Sequence, residues 1–255
     1  MSVLESFSLA GKTALVTGAS RGLGQAMAIA LAEAGAEVIC SSSSDGGCND
    51  TVSKIASLGG TAHQVTADLS NRSQIETFIA KVFEISPSID VLVNNAGTIT
   101  RHPAKEYPLE EWDMVLQVNL ASVFQLCQAF GSKMIERGGG KIVNIASLLS
   151  FSGGITVPAY TASKHAVAGL TKALANEWAK DNIQVNAIAP GYFKTDNTQA
   201  LQDNEERNEQ ITARIPTGKW GTPSDLAGAV VFLASQASNY VNGHTLTVDG
   251  GWMAR

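Results

Sequence analysis

Residues 13–24 have the sequence TALVTGASRGLG, in which a short apolar run leads into a glycine-rich turn. An alanine-rich segment with high helix propensity, AMAIALAEAG, follows at residues 26–35. Glycine permits positive φ angles and close approach of a ligand to the backbone. The start of a helix presents unpaired N–H groups and a partial positive charge that suit a phosphate. Strand, turn and helix in this order therefore predict a dinucleotide-binding site.

The rest of the chain continues the same alternation of short β-branched runs and longer helical segments. The predicted strands are residues 13–17, 37–41, 62–65, 91–94, 141–145, 184–189 and 245–248. The predicted helices are residues 23–34, 50–58, 73–85, 112–135, 161–179 and 224–234. Most strands are continuously apolar, as expected of strands that are buried on both faces. The pattern predicts an α/β fold, a doubly wound parallel sheet of the Rossmann type in a single domain over residues 1–255.

Residues 193–222 interrupt this rhythm after the sixth strand. The segment is polar, a helix is compatible with residues 204–214, and Pro190-Gly191 and Gly221-Thr222-Pro223 flank it. It is too short to bury a core of its own, so we expect a small helical lid over a substrate site.

Composition excludes several other classes of protein. The formal net charge is −5 and no run of Lys or Arg stands out, so we expect no nucleic-acid partner. The first residues lack a signal-peptide pattern, and no uninterrupted apolar run approaches the roughly 20 residues of a membrane span. We therefore expect a cytoplasmic protein without a membrane partner. The four histidines are dispersed and the three cysteines lack metal-ligand spacing, so no metal site is predicted.

Several spaced motifs resemble the short-chain dehydrogenase/reductase family from end to end. They are TGxxxGxG at residues 17–24, NNAG at residues 94–97, Pro190-Gly191 and Val248-Asp249-Gly250-Gly251. Asn119, Ser147, Tyr160 and Lys164 match the family's catalytic tetrad. The resemblance implies a nicotinamide-dependent oxidoreductase that commonly assembles as a homotetramer.

The chemistry requires a proton donor or acceptor at the reacting oxygen, because the nicotinamide carries only the hydride. In a helix, Tyr160 and Lys164 share one face, and the lysine would lower the tyrosine pKa. By the resemblance, Lys164 also holds the nicotinamide ribose, Ser147 binds the substrate oxygen and Asn119 anchors a water that relays protons. The alternative for an isolated YxxxK pair is an ordinary surface pair.

The cofactor choice depends on the end of the second strand. No acidic residue stands there to repel a 2′-phosphate, while Arg21 and the serine run at residues 41–44 can bind one. NADP(H) is therefore favoured and NAD(H) remains possible. The predicted cofactor-binding residues are Gly18, Ser20, Arg21, Gly22, Leu23, Gly24, Ser42, Ser43, Asp68, Leu69, Asn95, Ala96, Gly97, Tyr160, Lys164, Pro190, Gly191, Phe193 and Thr195.

The loops at the carboxyl ends of the strands should supply the substrate contacts. The candidates are Arg101, His102, Ser147, Leu149, Asn197 and Arg214. Cations and amides suit a small polyhydroxylated acid, although each could instead be a solvated surface residue. The run RIPTGKWG at residues 214–221 and the end DGGWMAR resemble the family branch that oxidises deoxy sugar acids of the 2-dehydro-3-deoxy-gluconate type in uronate catabolism. That branch implies a preference for NAD, against the indication of Arg21.

Two other functions remain open. A 3-oxoacyl carrier-protein reductase shares TGASRGLG but would present a basic docking patch, which the acidic balance does not favour. A cofactor-sensing scaffold without turnover would be expected to have lost members of the tetrad, and all four are present.

Overall fold

The computed structural model describes residues 2–255, which form one seven-stranded parallel sheet covered by helices on both faces. The strands are β1 Thr13–Val16, β2 Glu37–Ser42, β3 Ala62–Thr66, β4 Val91–Asn94, β5 Gly140–Ile145, β6 Ile183–Pro190 and β7 Thr245–Val248. Their order is β3-β2-β1-β4-β5-β6-β7, and every pairing is parallel. The predicted doubly wound parallel fold is confirmed.

Nine α-helices are found in the described part of the chain, and seven of them correspond to the six predicted helices. The helices are α1 Gly22–Glu33, α2 Asn49–Ser57, α3 Arg72–Ile85, α4 Leu109–Leu116, α5 Ser122–Arg137, α6 Pro158–Trp178, α7 Gln199–Gln202, α8 Glu205–Arg214 and α9 Ala227–Ala234. The predicted helix 112–135 starts three residues earlier and is divided by a π-helical turn, Gln117–Ala121. The first turn of the predicted helix 224–234 is a 3-10 turn, Pro223–Leu226.

Two apolar cores lie on opposite faces of the sheet, as the strand periodicity requires. In β1, Ala14 and Val16 point into a core shared with α1 and α9, whereas Leu15 points into the core under α3 and α5. Phe78 and Phe130 are the largest side chains buried in the second core. The free thiols of all three cysteines are buried, and burial raises the pKa of Cys40 and Cys127 to about 12.

The continuous helical segment Leu109–Arg137 is long and apolar enough to cross a membrane by length and composition alone. Half of the most apolar stretch of this segment is buried inside the protein, where Leu126 and Phe130 pack in the second core. A core helix meets the same criteria of length and composition, so this segment is weak support for a membrane span.

The order in which the strands are added to the sheet reverses at β1, because β2 lies on one side of β1 and β4 lies on the other. The connections that follow β1 and β4 therefore diverge and leave a crevice at the carboxyl ends of the strands, where ligands bind in open α/β sheets. The glycine-rich turn, the NNAG motif and the start of α6 all lie at this edge.

Candidate active site

The glycine-rich turn packs so closely against the protein that two of its glycines could not carry a side chain. Gly18 has φ +63°, and a Cβ there would lie 2.9 Å from the Cα of Ala96. A Cβ on Gly24 would lie 2.1 Å from the Gly18 carbonyl oxygen. Arg21 precedes α1 without capping it by a side-chain hydrogen bond, so the first N–H groups of the helix point unpaired into the cavity. Such a cradle fits a pyrophosphate.

A clamp from β4 holds this turn in place. The backbone N–H groups of Asn95 and Ala96 both donate to Thr17 Oγ1 at 3.0 Å. The Asn95 amide donates to the carbonyl oxygens of Thr17, at 2.9 Å, and Gly18, at 3.0 Å. Asn95 and Ala96 were predicted to bind cofactor, and in the structure their polar groups shape the loop. Thr17 was missed, although its place at the end of the strand motif marks it.

Asn119 occupies the π-helical turn between α4 and α5 and is buried. Its Oδ1 accepts from the Thr98 N–H at 2.8 Å, and its Nδ2 donates to the Thr98 carbonyl at 2.9 Å and to Ser163 Oγ at 3.1 Å. The Ser163 hydroxyl in turn donates to the Tyr160 carbonyl. Asn119 thus connects the loop after β4 to α6, and π turns of this kind are frequent at functional sites.

Helix α6 begins two residues before Tyr160, with Pro158 at its first position. One helical turn later, the buried Lys164 donates from Nζ to the Ile145 carbonyl at 2.7 Å. A Cβ on Gly97 would lie 3.8 Å from Lys164 Nζ and 3.4 Å from Asn119 Oδ1. Glycine at position 97 therefore keeps open the space in front of both groups.

Ser147 follows β5 and joins its loop to α6. Its Oγ accepts from the Leu149 N–H at 3.2 Å, and the Ser150 hydroxyl donates to the Lys164 carbonyl at 2.6 Å. The Ser147 side chain is also near enough to that of Tyr160 to lower the tyrosine pKa. Three members of the tetrad, Ser147, Tyr160 and Lys164, line one cavity, with Asn119 buried directly behind it.

The pKa directions in this group differ from the expectation for the tyrosine. Burial raises the pKa of Tyr160, while the nearby Ser147 side chain and the positive charge of Arg101 oppose that rise. Lys164 Nζ lies 5.5 Å from the centre of the Tyr160 ring. Burial also lowers the pKa of Lys164 to about 8. Arg101 is thus a further cation, beside the predicted Lys164, whose charge favours ionised Tyr160.

The cavity at this edge has a volume of about 780 Å³. The predicted site residues that line it are Gly18, Ser20, Arg21, Gly22, Leu23, Gly24, Asn95, Gly97, Arg101, Ser147, Leu149, Tyr160, Lys164, Pro190, Gly191, Thr195, Asn197 and Arg214. The lining also includes four residues of the lid and carboxyl terminus that sequence reasoning missed: Tyr192, Arg207, Gln210 and Trp252. Arg207 and Gln210 could have been found by following the helical spacing back from Arg214.

Six predicted cofactor residues do not line the cavity: Ala96, which belongs to the clamp described above, and five others. Ser42 is buried and donates to the Ser44 carbonyl, and Ser43 is exposed beside it at the end of β2. The Asp68 carboxylate accepts from the N–H and hydroxyl of Ser70 after β3. Leu69 and Phe193 are buried, the latter with its ring against Gly221.

The predicted substrate residue His102 also lies outside the cavity. Its ring contacts Glu111 at 2.9 Å and packs edge-on against Tyr107. Its N–H donates to the carbonyl of Thr156, a β-branched residue held at φ +63°. His102 therefore ties two site loops together, with backbone strain stored at Thr156.

The lid has a small apolar core that reaches the carboxyl terminus. Its buried members are Leu148, Ile211, Ile215, Trp220 and Trp252. The base of the lid touches the glycine-rich turn, because Arg21 Nε lies 3.1 Å from Asp196 Oδ2. Within residues 2–255, no group of three or more His, Cys, Asp or Glu is placed to hold a metal ion.

Comparison with known proteins gives one consistent group of relatives. The family model described as "Enoyl-(Acyl carrier protein) reductase" matches residues 18–253. The 2-dehydro-3-deoxy-D-gluconate 5-dehydrogenase of Bacillus subtilis is 56% identical over 251 residues, which are 98% of each chain.

Two solved structures superpose closely. A protein from Beutenbergia cavernae, crystallised with NADP at low occupancy, is 51% identical with a TM-score of 0.95 and covers 98% of this chain and 100% of its own. The gluconate 5-dehydrogenase of Burkholderia cenocepacia, in complex with NADP and tartrate, is 38% identical with a TM-score of 0.95 and full coverage of both chains.

Proposed function

Because the chain belongs to the short-chain dehydrogenase/reductase family, we propose that it is an NAD(P)-dependent oxidoreductase that interconverts a hydroxyl and a keto group on a deoxy sugar acid. The observation that carries the proposal is the meeting of Ser147, Tyr160 and Lys164 with a glycine cradle in one arginine-lined cavity. The 56% identical relative named for 2-dehydro-3-deoxy-D-gluconate supports the substrate class.

Tyr160 is the proposed proton-transfer group. In the oxidative direction its phenolate accepts the substrate hydroxyl proton, and in the reductive direction its hydroxyl protonates the developing alkoxide. Ser147 donates a hydrogen bond to the same substrate oxygen. Lys164 is placed to return protons to Tyr160 through the space in front of Asn119, because its pKa near 8 lets it gain and lose protons close to neutral pH.

The cofactor proposal is NADP(H), with NAD(H) as the alternative. With the pyrophosphate of the dinucleotide held in the cradle, its nicotinamide would accept or supply the hydride. Gly18 and Gly24 allow the turn its close packing, and the start of α1 would offer N–H donors to the pyrophosphate. The roles of Ser42, Ser43 and Asp68 at the adenosine end remain predictions. Two relatives crystallised with NADP support the choice.

The rival function is reduction of a 3-oxoacyl carrier-protein thioester. The lining argues for the acid, since Arg101, Arg207 and Arg214 offer charge to a small anion and are not needed by an acyl chain. A cofactor-sensing scaffold is less well supported, because the tetrad residues are intact and assembled at the cavity.

The test is reduced-nicotinamide absorbance with NADPH and NADH in parallel. The substrates are a panel of keto-deoxy sugar acids and an acetoacetyl thioester. We expect rapid turnover with the sugar acids. Turnover confined to the thioester would overturn the proposed function.

We further propose that residues 1–255 act as one domain with residues 193–222 as its lid, and that the protein is a cytoplasmic homotetramer. Exposed apolar side chains on the segment Leu109–Arg137, Leu109 and Phe124, are available for association through helices. Sedimentation velocity at micromolar concentration tests the assembly, and a monomer would contradict it.

A further inference from the structure

Helix α8 of the lid presents an unusual row of side chains to the cavity. Arg207, Gln210 and Arg214 all line it, and their spacing of three and four residues places them on one helical face. We call this row the α8 face. We propose that the α8 face is the subsite that binds the substrate carboxylate. The inference rests on the proposed function and assigns a substrate group to the lid.

The two arginines of the α8 face form no ion pair with the described residues, and the carboxylate of Glu206 contacts the row only through Gln210, whose amide donates to it at 3.0 Å. Within residues 2–255, neither Arg207 nor Arg214 has a carboxylate oxygen within 4.0 Å. Asp196 is the one acidic residue in the described cavity lining, and it pairs with Arg21. The whole chain has a net charge of −5, so this concentration of cations is local. An anionic ligand group would complete the pairing.

Both arginines are held for this role before a ligand arrives. The Arg214 guanidinium lies 4.0 Å from the centre of the Trp252 ring, a cation–π contact that fixes its plane. Arg207 Nη1 donates to Gln210 Oε1 at 2.9 Å. Ile211, between the two arginines, is buried in the lid core and anchors the helix. A guanidinium fixed in this way loses less conformational entropy when it binds a carboxylate.

Arg101 is placed for a different task. It lies on the loop after β4, and its charge lowers the pKa of Tyr160 against the effect of burial. It therefore acts where the proton is transferred, at the reacting carbon. In a deoxy sugar acid oxidised at C5 the carboxylate is at the other end of the molecule, at C1. The lid supplies the cations for that end.

The test uses Arg207→Gln, Arg214→Gln and the double variant, with Lys219→Gln as the matched control. Lys219 is an exposed lid cation outside the cavity. Each enzyme is assayed at saturating NADP+ with a 2-keto-3-deoxy sugar acid that carries a C5 hydroxyl, and with its uncharged methyl ester. Each single variant should lower kcat/KM for the acid about ten- to a hundredfold through KM, as loss of one charged hydrogen-bonding group does. The ester and the control should be unaffected.

Equal losses with acid and ester would mean that the variants damage the lid in general, and unchanged KM values would mean that the carboxylate binds elsewhere. Either result overturns the proposal. Calorimetric titration of succinate into the NADP-loaded protein gives a readout independent of turnover, and the double variant should lose binding. If the wild-type protein turns over no sugar acid, the proposed function fails, while the succinate titration still tests the α8 face.

Discussion

Arg21 Nε and Asp196 Oδ2 lie 3.1 Å apart, so the glycine-rich turn and the lid share an ion pair. Both side chains are about two-thirds exposed or more, which limits the strength of the pair. Arg21 is also the cation that we assign to the 2′-phosphate of NADP. If Arg21 binds the phosphate as predicted, the phosphate and Asp196 would compete for one guanidinium.

Asp196→Asn should release Arg21 for the phosphate. We expect KM for NADPH to fall about two- to fivefold, because that change corresponds to the free energy that an exposed ion pair contributes. The KM for NADH should be unchanged. Asp203→Asn, another exposed lid carboxylate that contacts Gln199 instead, is the control. If NADH and NADPH respond alike to Asp196→Asn, the competition does not exist.

Tyr160→Phe should reduce turnover by about a hundredfold or more, because the reacting oxygen loses its proton-transfer group. Binding of NADPH, measured by fluorescence titration, should change little. Tyr240→Phe, a fully exposed tyrosine, is the control and should retain full activity. Substantial turnover by Tyr160→Phe would refute the mechanism.

Arg101→Gln should move the pH profile of alcohol oxidation to higher pH. Oxidation needs ionised Tyr160, whose pKa is raised by burial and lowered by the Arg101 charge. Without that charge the tyrosine pKa rises further, so the rate reaches its half-maximum at a more alkaline pH. Arg101→Lys keeps the charge and should shift the profile less. A profile that stays in place, or moves to lower pH, would show that Arg101 does not act on Tyr160.

Lys164→Met should change how the stability of the cofactor-free protein depends on pH. Burial lowers the pKa of Lys164 to about 8 in the folded state, below its ordinary 10.5, so the folded protein binds fewer protons between these values. Stability is thus gained as pH rises from about 8 towards 10.5, and the same stability is lost as pH falls from 10.5 to about 8. From pH 7 to pH 9, the wild type should gain about 1 kcal/mol relative to Lys164→Met in denaturant unfolding.

Burial also lowers the pKa of Lys141 to about 8. Wild type and Lys164→Met both contain Lys141, so its contribution to the pH dependence of stability cancels in that comparison. Lys141→Met should reproduce the change in pH dependence without the loss of activity that Lys164→Met causes. Parallel stability curves for wild type and Lys164→Met would contradict the shifted lysine pKa.

Gly24→Ala should abolish cofactor binding, because its Cβ would collide with the Gly18 carbonyl oxygen and the Asn95 amide nitrogen, 2.4 Å away. Gly228→Ala is the matched control, on the exposed start of α9 with no atom within 4 Å of the added carbon. It should bind NADPH normally. Its free energy of unfolding should be about 0.4–1 kcal/mol higher, because alanine reduces the conformational entropy of the unfolded chain. Normal NADPH affinity in Gly24→Ala would show that the cradle is not the binding site.

The fold was predictable because buried parallel strands and alternating helices leave a strong periodic signal in the sequence. Element ends were less visible. Thr17 was assigned to the first strand, yet it leaves β1 to accept hydrogen bonds from Asn95 and Ala96, a tertiary contact with no local signature. The π turn at Asn119 was hidden for the same reason, since its sequence is ordinary for an α-helix.

The candidate site shows the same division. The motif residues converge because they follow neighbouring strands at one edge of the sheet. The contact of His102 with Glu111 could not be predicted, because Glu111 belongs to the next helix and spacing alone does not reveal that contact. Arg207 was missed because the lid has no strand to fix its orientation in advance. Burial decides the direction of the Tyr160 pKa shift, and the YxxxK motif does not reveal how deeply the tyrosine is buried.

The clamp between Thr17 and Asn95 joins residues that are 78 positions apart in the chain. A ribosome adds about 5–20 residues per second, so Asn95 is synthesised on the order of 4–16 s after Thr17. A nascent chain that ends before β4 lacks the groups that shape the cradle, so free dinucleotide could not assist the early stages of folding. The cofactor would first engage the chain once β4 has joined the growing sheet.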